Sequence, residues 1–298
     1  MNPVQPPTLL PDFIIIGAMK SATSTLQEQL ARQPGIFMCD PKEPNFFSDD
    51  SQYVRGISWY SSLFSPASPG DLKGEASTHY SKLPTHDATI SRMHAVVPGA
   101  RLVYVMRHPI DRLVSHYIHE WSMGNIHCNI NEAVRKYPEM IAYGEYSLQL
   151  APYFDAYGRD SILPVFFDRL TREPQSELER VCKFIGYSGT PKWLDELKPS
   201  NVSSERLRRF PLFDVVVKSA LATQLRRTLV PRDLRNWVKE KLTMRQRPHL
   251  DPMLARDLEQ RFNRDLQRLG GWLGQDLSCE NFKDLTGASE LGWSAKHG

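Results

Sequence analysis

The sequence predicts an α/β fold: a single domain with a central parallel sheet flanked by helices. Three observations predict it. Short apolar, branched runs recur at 13–16, 36–38, 101–106 and 162–167. Stretches with helical spacing separate most of them. No Gly-, Ser- or Pro-rich linker divides the chain. The 298 residues are 41% hydrophobic and 24% charged, a globular balance that excludes bulk disorder and supports a core without staples.

Each element has its own signal. Residues 1–11 are Pro-rich and uncharged and form an arm before the domain, expected over 12–280. The arm lacks the basic start and long apolar stretch of a secretory signal. No apolar run approaches the roughly 20 residues that cross a bilayer, so a cytoplasmic protein is expected. Residues 13–16 (FIII) make a buried strand, stopped at Gly17. A helix follows over 23–32, with Leu26 and Leu30 on one face and Pro34-Gly35 as its stop. After the strand at 36–38, residues 40–70 are rich in Pro, Ser and Asp. They are expected mainly as loop, pinned by Phe46, Phe47, Trp59, Tyr60 and Phe64. A strand end at 72–77 precedes a helix at 85–97, closed by Pro98-Gly99. RLVYVM, 101–106, is the clearest buried strand. Pro109 opens the next helix, at the favoured first-turn position, and that helix runs to about Met123. Helices are expected at 131–137, 146–157 and 173–185, with a strand at 162–167. An amphipathic helix at 252–269 is expected to end at Gly270-Gly271, and 281–298 is left as a tail.

Cys39, Cys128, Cys182 and Cys279 stand far apart with no CxxC pair, which excludes a zinc finger and argues against a disulfide framework. Net charge is only +3, but residues 205–247 hold twelve Lys/Arg against four Asp/Glu. That basic helical extension, or lid, attracts anions: nucleotide phosphates, acidic lipids or nucleic acid.

Between the first strand and the first helix lies Gly17-Ala-Met-Lys20-Ser-Ala-Thr-Ser24-Thr-Leu26. A loop of small residues there presents backbone N–H groups at a helix N-terminus, which cradles phosphate. Lys20 adds a point charge; Ser21, Thr23, Ser24 and Thr25 add hydroxyls. This is not a Walker A loop. Counted from Gly17, Ala22 stands at the second Gly position and Thr23 at the Lys position. The strand 101–106 ends at Arg107 rather than at a magnesium-binding Asp. Phosphate binding without a metal is the expectation.

That loop resembles the 5′-phosphosulfate loop of sulfotransferases, G-x-x-K-[ST]-[GA]-T-[ST]-x-L. Three more stretches follow in chain order and resemble the carbohydrate, heparan-sulfate-like branch, in the form of a soluble bacterial-type member. Lys42-Glu-Pro-Asn-Phe-Phe47 is similar to K-E-x-x-F-F, and Gly74-Glu-Ala-Ser-Thr-His-Tyr80 to G-E-x-[ST]-P-x-Y. Arg107-His-Pro-Ile-Asp-Arg-Leu-Val-Ser-His-Tyr117 is similar to R-x-P-x-x-R-x-x-S-x-Y. Residues 201–211 resemble the late basic loop that closes over the nucleotide. The likeness runs from about 12 to 280.

The resemblance implies a P-loop-like nucleotide site. It also implies in-line transfer of a sulfuryl group from 3′-phosphoadenosine-5′-phosphosulfate (PAPS) to a hydroxyl, with no metal. It places Lys20 at the leaving phosphate, where an ammonium stabilises developing charge. Ser21, Ala22, Thr23, Ser24 and Thr25 would hold the 5′-phosphate. Arg107 and Ser115 would hold the 3′-phosphate with Arg206 and Arg208, although Leu207 stands where relatives have Gly. Glu43 is the implied general base and His79 the second candidate. Lys42, Glu75 and His79 are implied on the acceptor side. Relatives that sulfate glycosaminoglycans often carry Lys after the Glu matching Glu75; Ala76 stands there and argues against that acceptor. A hydroxyl of a glycan or glycolipid is the first expectation, and a secondary-metabolite or phenolic hydroxyl the alternative. Two other classes stay open: a nucleotide kinase or NTPase of related fold, and a non-enzymatic anion-binding module acting through the basic segment. Nucleic acid is not an expected partner.

Overall fold

The computed structural model describes residues 9–197, 206–207, 243–244 and 246–294. Its main sheet has five parallel strands: β1 (Phe13–Gly17), β2 (Ile36–Met38), β3 (Leu72–Ala76), β4 (Arg101–Met106) and β5 (Ile162–Phe166). Their order is β2-β3-β1-β4-β5. The connections carry α1 (Thr23–Ala31), α2 (Asp50–Tyr53), α3 (Gly56–Ser62), α4 (Thr89–Val96), α5 (Pro109–Met123), α6 (Ile130–Lys136) and α7 (Glu139–Ala142). They continue with α8 (Tyr146–Tyr157), α9 (Phe167–Arg172) and α10 (Pro174–Ile185); after the basic segment come α11 (Pro252–Leu273) and α12 (Phe282–Ala288).

β1 and β4 lie inside the sheet because they are apolar on both faces, and alternate residues serve opposite layers. Phe13, Ile15, Val103 and Val105 pack with Leu26 and Leu30 of α1 and Leu178 and Val181 of α10. Ile14, Ile16, Leu102 and Tyr104 pack on the other side with Met93 of α4, Leu150 of α8 and Leu266 of α11. A third apolar cluster joins α5 and α6 to Leu258 and Phe262 of α11. All four cysteines are free.

Four expectations change. Residues 40–70 contain α2 and α3 as well as loop; Asp49, read as a loop former, caps α2 by accepting from the Ser51 N–H at 2.8 Å. α11 runs through Gly270-Gly271 to Leu273 and ends at Gly274 with φ +67°. Gly270 serves close packing instead of termination: a Cβ there would lie 2.4 Å from the Gln275 carbonyl. The stretch after 280 is not a loose tail. Phe282 and Leu291 are buried, and Trp293 donates its indole N–H to the Ile162 carbonyl at 2.6 Å. The helix expected at 85–97 is shorter, starting at Thr89. A two-residue antiparallel pair, β6 (Arg206–Leu207) and β7 (Thr243–Met244), brackets the basic segment. Most of that segment, with Arg208, lies outside the described residues.

Candidate active site

The strand order locates the site. The chain leaves β1 toward β2 on one side and leaves β4 toward β5 on the other, so their carboxyl ends flank a topological switch point. The loop after β1 and Arg107 after β4 meet there: Arg107 Nη1 donates to the Lys20 carbonyl at 3.3 Å.

The loop is shaped by its backbone. A Cβ on Gly17 would fall 1.9 Å from Ser81 Oγ and 3.0 Å from the Tyr104 ring, so only glycine fits. Lys20 and Ala22 adopt left-handed φ of 70° and 69°. Such strain in non-glycine residues persists only where the surroundings over-determine it, and it gathers at functional sites. Ala22 offers α1 no side-chain cap, and no acidic residue stands in the first turn. The leading N–H groups of a helix have no intrahelical acceptor, so Thr23, Ser24 and Thr25 begin an uncapped positive helix end. Ser21 is fully buried, and its Oγ has no hydrogen-bond partner among the described residues. A buried orphan hydroxyl beside an uncapped helix end suits a tetrahedral anion.

Arg107 is fixed from several sides. Tyr146 Oη accepts from its backbone N–H at 3.1 Å and donates to its carbonyl. The guanidinium lies 4.5 Å from the centre of the Phe167 ring. Asp111 engages Arg247 at 2.5 Å and Lys283 at 2.6 Å. Tyr146 is held in turn through α8, whose Ser147 and Leu148 N–H groups donate to Asp265 of α11. Ser115 lies two turns inside α5, nearly buried, with no hydrogen-bond partner among the described residues.

A second group forms where the β2 and β3 connections meet. Glu43 has φ +57°, and its N–H donates to the Ala76 carbonyl at 3.0 Å. Its Oε1 accepts from Lys42 Nζ at 2.7 Å and from Thr78 Oγ1 at 3.3 Å. Burial pushes the Glu43 carboxyl up, but Lys42, then His79 and Lys82, outweigh it and hold it below the usual range. His79 stacks on His86 with centroids 4.9 Å apart. Burial, then the charges of Lys82 and His86, pushes its imidazole down to about 4. Glu75 does not join this group. It is enclosed, taking hydrogen bonds from Tyr60 Oη and, at 2.7 Å, from Ser77 Oγ; Ser77 in turn holds the Asn45 N–H at 3.2 Å. Expected as an acceptor contact, Glu75 instead braces the loop that carries Glu43, because its strand register turns it into the core.

The structure thus gathers Lys20, Ser21–Thr25 and Arg107 on one side and Lys42, Glu43 and His79 on the other. For Arg206 the backbone alone is described. Sequence reasoning missed Tyr146, Phe167, Thr78 and Lys82. Thr78 sits in a quoted motif; the other three become visible only through tertiary contact.

These features define a P-loop-like α/β protein with a nucleotide-type anion site. The chain matches the sulfotransferase domain family over residues 10–280 and belongs to that family. It is 28% identical over 184 residues to human heparan sulfate glucosamine 3-O-sulfotransferase 6, covering 59% of this chain and 52% of that protein. It is 35% identical over 111 residues to membrane-associated sulfotransferase kil1 of Dictyostelium discoideum, covering 36% of this chain and 22% of that protein. The chain therefore spans about half or less of the curated relatives it matches. The crystal structure of a sulfotransferase from Alicyclobacillus acidocaldarius superposes with a TM-score of 0.64 at 23% identity, covering 90% of this chain and 97% of that one. That last likeness is one of fold. No helix among the described residues is long and apolar enough to cross a membrane.

Proposed function

We propose that this chain transfers a sulfuryl group from PAPS to a hydroxyl of a carbohydrate or glycolipid. The carrying observation is the strained, uncapped loop with its buried, unpartnered Ser21 hydroxyl, hydrogen-bonded through the Lys20 carbonyl to Arg107. Loop amides and Ser21 bind the 5′-phosphate, and Arg107 with Ser115 binds the 3′-phosphate. The side chains of Arg206 and Arg208 belong to the same reading.

Glu43 orients the acceptor hydroxyl and takes its proton as the acceptor oxygen bonds to sulfur. The bond from sulfur to the bridging oxygen breaks, and that electron pair leaves with the phosphate of 3′,5′-adenosine bisphosphate (PAP). Lys20 stabilises the charge that builds on this oxygen. A carboxylate held ionised by Lys42 is in its base form at neutral pH. His79, pushed down to about 4, stays neutral near Glu43.

Calorimetric titration with PAP, without magnesium, tests the donor site. Wild type should bind at micromolar concentration, and both Lys20→Ala and Arg107→Ala should bind more weakly. No binding by folded wild type would overturn the proposal.

A further inference from the structure

Beside Glu43 sits a cation that this chemistry does not use. Lys82, just after the turn Thr78–Ser81, is only 8% exposed. Its Nζ has no hydrogen-bond partner among the described residues; the Tyr143 ring lies 5.7 Å away. The charges of Glu43 and of Glu120 in α5 favour its ammonium form, but each carboxylate is committed elsewhere. Glu43 is held by Lys42 and Thr78; Glu120 takes a hydrogen bond from Asn125 at 2.7 Å and lies 3.5 Å from His116 Nε2. A desolvated ammonium is costly unless it is paired and hydrogen-bonded. The same corner holds more unused donor capacity. Arg112 is fully buried, and its Nε and Nη1 have no hydrogen-bond partner among the described residues.

Ala76 cannot supply this charge, and its side chain packs into the opposite layer with Leu26 and Val103. Lys82 presents a cation from the same connection, six residues on. We infer that Lys82 reads the acceptor: it takes an acidic group, a carboxylate or a sulfate, borne near the hydroxyl that lies against Glu43. This rests on the proposed donor and base assignment, and it names the acceptor class as acidic.

The test compares binding of three probes to the PAP-loaded protein by saturation-transfer NMR titration: p-nitrophenyl β-D-glucuronide, p-nitrophenyl β-D-glucoside 6-sulfate, and the neutral p-nitrophenyl β-D-glucoside. Wild type should prefer an acidic probe by roughly tenfold, the scale of a charge-assisted hydrogen bond. The preferred probe distinguishes carboxylate from sulfate. Lys82→Met should abolish the preference and Lys82→Arg should retain most of it, with PAP affinity unchanged in both. Equal binding of the three probes by wild type, or a preference that survives in Lys82→Met, would overturn the inference. A prior PAP titration keeps the two readings apart. Lost PAP binding counts against the donor site, whereas the acidic-versus-neutral comparison, repeated without nucleotide, judges Lys82 alone.

Discussion

The two halves of the site are built differently. The proposed donor half, at the β1/β4 crevice, is mainly backbone: left-handed φ at Lys20 and Ala22, a glycine that tolerates no Cβ, and an uncapped helix end. The proposed acceptor half, over β2 and β3, is mainly side chain: Lys42, Glu43, Thr78, His79 and Lys82, with Lys42, His79 and Lys82 holding the Glu43 carboxyl down. A backbone cradle is fixed by the fold and suits a ligand that does not vary. A side-chain cluster can be rewritten residue by residue while the sheet stays as it is, which suits specificity.

Substitutions can break this division. The largest effect is expected for Lys20→Ala, roughly 10³-fold lower kcat for sulfate transfer from labelled PAPS, because charge stabilisation is lost at the leaving oxygen. A loss under threefold would remove Lys20 from that role. Glu43→Gln should lower kcat roughly 10²-fold while PAP affinity stays the same, since the base acts on the acceptor alone. If PAP affinity falls in parallel, the two halves are not separable. Arg107→Ala should weaken PAP roughly 30-fold by calorimetry, within the range of charge-assisted hydrogen bonds, and leave thermal stability close to wild type.

The smallest effect sharpens the acceptor half through pH. Burial pushes His116 and His79 down to about 4, against about 6.5 in an unfolded chain. Between these values the unfolded chain binds more protons, so stability falls as pH drops from about 6.5 to about 4. Urea midpoints measured across this window should decline, and His116→Gln should flatten the slope. An unchanged slope would show that His116 titrates normally in the folded protein.

The donor half was legible in sequence because its determinants are local. Apolar FIII, the small-residue loop and Leu26/Leu30 specify strand, turn and helix within twenty residues. Arg107 was legible for the same reason, standing at the end of RLVYVM. The acceptor half was legible only in its motifs. Its motif resemblance put Glu75 on the acceptor side, yet Tyr60 and Ser77 satisfy it in the core. Lys82 gave no signal, since its surroundings come from Glu43, from α5 and from Tyr143 after α7, all distant along the chain. Gly270-Gly271 read as a stop because glycine usually follows a helix; a close backbone approach from Gln275 gives it a different purpose.

The hydrogen bond from Arg107 to the Lys20 carbonyl has a consequence for ligand choice. It ties the two proposed phosphate-binding points together across the crevice, so on that reading they act as a calliper with a set opening. A nucleotide with one phosphate on each side of a single ribose engages both jaws. ATP, with its charges strung from one end, engages one. On the proposed reading, discrimination against ATP needs no steric barrier, because it follows from where the second charge must fall.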